Sequence, residues 1–70
     1  MAAQTFAQIN ALAAALPYSD LANRVQTMIA EAAENAATIG GDALAHLESS
    51  LCFCEDRDVC RWFAENDVAY

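Results

Sequence analysis

The chain has few places to turn. Its only proline is Pro17, and its only glycines are the adjacent Gly40 and Gly41. So little punctuation limits it to a few elements. Seventeen of the 70 residues are alanine, the best helix former and a poor strand former. Setting them aside leaves 23 larger apolar side chains. That is enough to fold, but only around a thin core. These features predict an all-α fold, a small single-domain bundle of about four helices over residues 1–70.

Spacing and capping residues place the helices at about 6–16, 19–38, 43–54 and 57–65. Thr5 and Gln8 form a capping box ahead of Phe6, Ile9, Leu12, Ala13 and Leu16, which recur at helical spacing. Pro17 ends that helix by restricting the residue before it. Ser19 or Asp20 caps a second helix, whose stripe is Leu21, Val25, Met28, Ile29, Ala32 and Ala36. Gly40 and Gly41 stop it, with one glycine taking the left-handed conformation. Asp42 caps a third helix with Leu44, Leu47, Leu51 and Cys54 on its apolar face. Asp56 caps a short fourth carrying Val59, Cys60, Trp62 and Phe63. Asn66 and Asp67 close it before the tail Val68-Ala69-Tyr70. The expected core is Phe6, Ile9, Leu16, Leu21, Val25, Met28, Ile29, Leu44, Leu47, Leu51, Val59 and Phe63.

Residues with the chemistry for catalysis or metal binding are sparse. His46, Cys52, Cys54 and Cys60 are the only set with metal-ligand types. They lack the pairs with two intervening residues that make a zinc knuckle. On a helix, Cys52 and Cys54 would point about 200° apart. The three cysteines are therefore expected as small apolar residues in a reducing compartment, with no metal. His46 shares a helix with Ser49 and Ser50, but a nucleophilic triad needs a strained turn and an oxyanion pocket. His46 is read instead as solvent-facing or bonded to a helix cap, and neither an enzyme nor a cofactor is expected. Ile39-Gly40-Gly41-Asp42-Ala43-Leu44 resembles the Gly-Gly-Asp-Ser-Leu signature of acyl and peptidyl carrier proteins, which are also small, acidic and four-helical. Ala43 stands where that family has its attachment serine. Without the hydroxyl, the resemblance carries no phosphopantetheine to this chain.

Charge is the strongest functional signal. Ten acids face three arginines and no lysine, for a net charge of −7. That balance excludes a module that grips nucleic acid or an anionic membrane directly. No charged leader precedes Arg24, and the longest apolar run, 11–16, is far too short to span a bilayer. A cytoplasmic location is expected. Arg24 has Asp20 at helical spacing, Arg61 has Asp58 and Glu65, and Arg57 lies beside Asp56 and Asp58, so the few cations are expected to be paired. From Gly40 onward seven acids oppose two arginines. Asp42, Glu48, Glu55, Asp56, Asp58, Glu65 and Asp67, with Trp62 as an aromatic anchor, are the candidate partner-binding residues.

In length, acidity and lack of catalytic apparatus the chain resembles small phage-encoded inhibitors, anti-CRISPR proteins and nucleic-acid mimics among them. The resemblance implies a non-enzymatic inhibitor or decoy that occupies a basic surface of a partner protein, such as one that binds nucleic acid. Two alternatives remain. One is a self-associating helical module, a homodimer formed through Ala32, Ala33, Ala36 and Ala37. The other is a small Cys/His metal-binding domain.

Overall fold

The computed structural model describes residues 5–68, which fold into four helices and no strand. These are α1 (Phe6–Ala14), α2 (Asp20–Ile39), α3 (Ala43–Cys52) and α4 (Arg57–Glu65). Each begins at the expected cap. Thr5 and Gln8 exchange both bonds of the capping box. Ser19 accepts from the Ala22 N–H, Asp42 from Ala45, and Asp56 from both Asp58 and Val59. A short polar side chain at each start satisfies backbone donors that the helix itself cannot.

Two helices stop earlier than the sequence predicts. α1 ends at Ala14 rather than 16, because Pro17 forces Leu16 out of helical geometry. The Leu16 N–H then bonds only as far back as Ala13, and Gln26 of α2 reaches across to donate a second bond to the same Ala13 carbonyl at 2.8 Å. α3 ends at Cys52 rather than 54, its last turn tightening into bonds from Phe53 to Ser50 and from Cys54 to Leu51. Cys54 therefore lies in the α3–α4 loop and not on the α3 apolar face. Gly40 and Gly41 both adopt positive φ, +92° and +93°, where a single left-handed glycine was expected.

α2 organises the bundle. Twenty residues at 1.5 Å each make it about 30 Å long, the longest dimension of the molecule. It makes the main packing contacts with each of the other three helices, most extensively with α3, which folds back after the glycine turn. The buried core is Ile9, Ala13, Ala22, Val25, Ile29, Ala32, Leu47, Leu51, Val59, Phe63 and Val68. Phe6, Leu16, Leu21, Met28 and Leu44 pack around it half-buried. Leu12 lies on the expected α1 stripe but was not among the expected core residues. It sits on the flank of α1 and is 39% exposed, while Ala13 takes the central position.

The end of α4 is a Schellman motif. The Val68 N–H bonds to the Phe63 carbonyl at 2.9 Å, and the Asp67 N–H to Ala64 at 3.2 Å. This folds Val68 into the core, with Asp67 at the left-handed position at φ 64°. Ala69 and Tyr70 lie outside the described residues. Among the described residues no helix is long and apolar enough to cross a membrane.

Candidate functional site: the acidic surface around the fourth helix

The eight candidate residues do not converge on one pocket. Glu55, Asp56 and Asp58 cluster where the chain enters α4, and Glu65 and Asp67 lie at its other end. Asp42 caps α3 at the opposite end from that loop, about 15 Å of helix away. Glu48 sits midway along α3, half-buried. Trp62 is half-buried and packs edge-to-face on Phe63, with ring centroids 5.0 Å apart. Its indole is thus fixed by the core while part of it stays accessible, as an interface anchor requires. Asp42, Glu55, Asp58, Glu65 and Asp67 are all exposed.

Asp56 requires a correction. It is not a loose surface charge, because it caps α4 and also pairs with Arg24 of α2. The Arg24 Nε also donates to Asp20 at 3.0 Å, so one guanidinium ties the start of α2 to the start of α4. Hydrogen bonding from Arg24, with help from the Val59 and Asp58 N–H groups, holds the Asp56 carboxyl below the usual aspartate range. The same hydrogen bond raises the Arg24 pKa. The other expected pairs do not form. Among the described residues neither Arg57 nor Arg61 has a carboxylate within 4 Å, and both are exposed.

The lowered Asp56 pKa makes folding pH-dependent in a known direction. A carboxyl whose folded pKa lies below its unfolded value, about 3.9, stabilises the fold above that value. The contribution is lost as pH falls through the folded pKa. In Asp56→Asn the cap is retained, since Asn caps as well as Asp, but the charge is gone. The melting midpoints of parent and variant should therefore differ most near neutral pH and converge in strong acid. Thermal melts across a pH series check this, and curves that stay parallel throughout would mean the pair contributes nothing.

The cysteines and the histidine have structural surroundings. His46 Nε2 donates to the Gly40 carbonyl at 2.7 Å, closing the C-terminal end of α2, so it is cap-bonded. Neither Ser49 nor Ser50 is hydrogen-bonded to it. Cys52 is exposed, and the Cys60 thiol lies 3.9 Å from the Cys54 carbonyl. Among the described residues no group of three or more His, Cys, Asp or Glu side chains is arranged to hold a metal ion. The alanines proposed for self-association divide: Ala32 is buried, Ala36 half-buried, and Ala33 and Ala37 exposed.

The residues missed from sequence are Arg24 and its neighbours. Between α2 and the entry to α4 runs a cleft of about 350 Å³, with Arg24, Met28, Glu31, Cys54, Asp56 and Val59 among its lining residues. Its α2 side repeats at three- and four-residue spacing, which is visible in the sequence. Its other side comes from about 30 residues away and is not. No protein-family model matches this chain, and no curated protein or solved structure matches it at a significant level.

Proposed function

We propose that this chain is a small non-enzymatic binding protein, an inhibitor or decoy that occupies a basic surface of a partner protein in a reducing, cytoplasmic setting. A partner surface built for nucleic acid has the complementary charge. One observation carries the reading. Of the ten carboxylates, only Asp20 and Asp56 have a cation within 4 Å among the described residues. The other eight outnumber the two unpaired arginines, Arg57 and Arg61, and the negative field that remains speeds association with a cationic surface.

Asp67 adds support. Aspartate occupies the left-handed region less readily than glycine, and a negative charge at a helix C-terminus opposes the dipole. Glycine would serve the motif better, so the carboxylate adds to the acidic surface at a small cost in folding. Asp67→Gly is expected to raise stability by about 1 kcal/mol while weakening partner binding.

The test is affinity capture at low and high salt, followed by titration of the captured partner with variants. Glu55→Lys combined with Glu65→Lys changes two exposed charges outside the core and should leave the fold intact. Binding should weaken tenfold or more at low salt and lose much of its salt dependence. Parental affinity at every salt concentration would reduce the acidic surface to a solubility device.

Self-association is a second reading, favoured by one feature. Ala30, Ala33 and Ala37 are exposed on α2 at spacings of three and four, which gives a second helix a close approach. Two copies each carrying −7 repel, so such a dimer strengthens with salt, the reverse of binding to a basic partner. Sedimentation in the same salt series separates the two.

A further inference from the structure

The cleft beside α2 is a groove with its own character. Asp20, Arg24, Thr27, Met28 and Glu31 form its α2 wall, a single stripe about 16 Å long. Cys54, Asp56 and Val59 form the other wall. The apolar lining is Met28, which is half-buried, and the small edge of Val59 that stays exposed. Asp20, Arg24 and Asp56 form one ion-pair network with a net charge of −1 at one end. Glu31 stands at the other, exposed and with no cation within 4 Å among the described residues.

We propose that this groove docks an extended basic segment of the partner protein, with a lysine or arginine stem lying over Met28 and Val59 and its charged head at Glu31. Long cationic side chains lay their methylenes on apolar surface and keep the head at a carboxylate, which is the arrangement this groove offers. Its length suits about five extended residues. The groove's own charge, −2 in all, repels a phosphate-bearing ligand. A purely apolar segment would bury carboxylates without a counter-charge. The inference rests on the reading that the partner is basic and locates one contact within it.

The probe is a five-residue peptide with one central arginine between neutral aliphatic residues, titrated into isotopically labelled protein and followed by amide chemical shifts. The control peptide replaces arginine with citrulline, which has nearly the same shape and no charge. Shifts should concentrate at Thr27, Met28, Glu31 and Cys54, and the citrulline peptide should bind about threefold to fivefold more weakly. Glu31→Gln should weaken the arginine peptide about threefold to fivefold, as loss of one exposed ion pair does. Glu34→Gln, an equal charge change three residues along the same helix, should leave affinity within twofold. Shifts spread evenly over the surface carboxylates, or equal losses from both variants, would overturn the groove. If that happens while Glu55→Lys/Glu65→Lys still weakens the captured partner, the groove fails and the broader reading stands. If the groove binds the arginine peptide but the double variant leaves partner affinity unchanged, the groove stands and the acidic surface around α4 does not.

Discussion

Leu47→Ala is expected to remove a large share of this protein's stability. Leu47 is fully buried on α3, where that helix lies against α2. Removing a buried leucine loses its transfer free energy and leaves a cavity, together about 2–5 kcal/mol. A chain of this length has about 3.5–10 kcal/mol to lose in total. The bundle has few large side chains to collapse into the gap, so the cost should fall toward the upper part of that range. Ile29→Ala, on the facing helix, should behave in the same way. Chemical denaturation followed by circular dichroism reads the change in midpoint. A cooperative transition near the parent's midpoint for either variant would mean that the assigned helix faces are wrong.

Ala32→Leu should be nearly as damaging, although it adds apolar surface. Ala32 is fully buried at a point where α2 is covered by its neighbours, and a methyl group is all that fits. Three further carbons must displace a packed helix or adopt a strained rotamer, costing about 1–3 kcal/mol. Ala33→Leu, one residue away and exposed, should stay within about 0.5 kcal/mol of the parent. If hydrophobicity alone governed this fold, the Ala32 variant would instead be the more stable of the two. The comparison needs only two melts.

These two positions show what could and could not be read from the chain. Helix starts were legible because a cap acts over two or three residues, as Thr5, Ser19, Asp42 and Asp56 all do. The large core residues were legible because period alone places them on one face. Each of the twelve expected side chains is buried or packed against the core. Ala13, Ala22, Ala32 and Val68 were not among the expected core positions, although Ala13 and Ala32 lay on the expected stripes. An alanine is buried only if another helix happens to cross over it, and Val68 only because the Schellman turn carries it inward. The candidate site was legible as a charge imbalance but not as geometry. Asp56 was legible as the α4 cap but not as the partner of Arg24, 32 residues earlier in the chain. Leu12 fitted the stripe of α1 and still ended on its flank, because only one side of α1 meets α2.

The central position of α2 has a consequence for how the molecule opens. α1 and α4 each rest mainly on α2, so either can detach while the α2–α3 pair stays closed. Protection from amide exchange should therefore be graded, deepest in the middle of α2 and in α3, shallower in α1 and α4. The α2–α3 pair is also joined by the short glycine turn, which makes its contacts the least costly in loop entropy and the natural place for folding to begin. A protein of this size thus has a slow-exchanging hairpin at its centre and two flaps that exchange sooner, and the α4 flap with its flanking turns carries four of the eight unpaired carboxylates, Glu55, Asp58, Glu65 and Asp67.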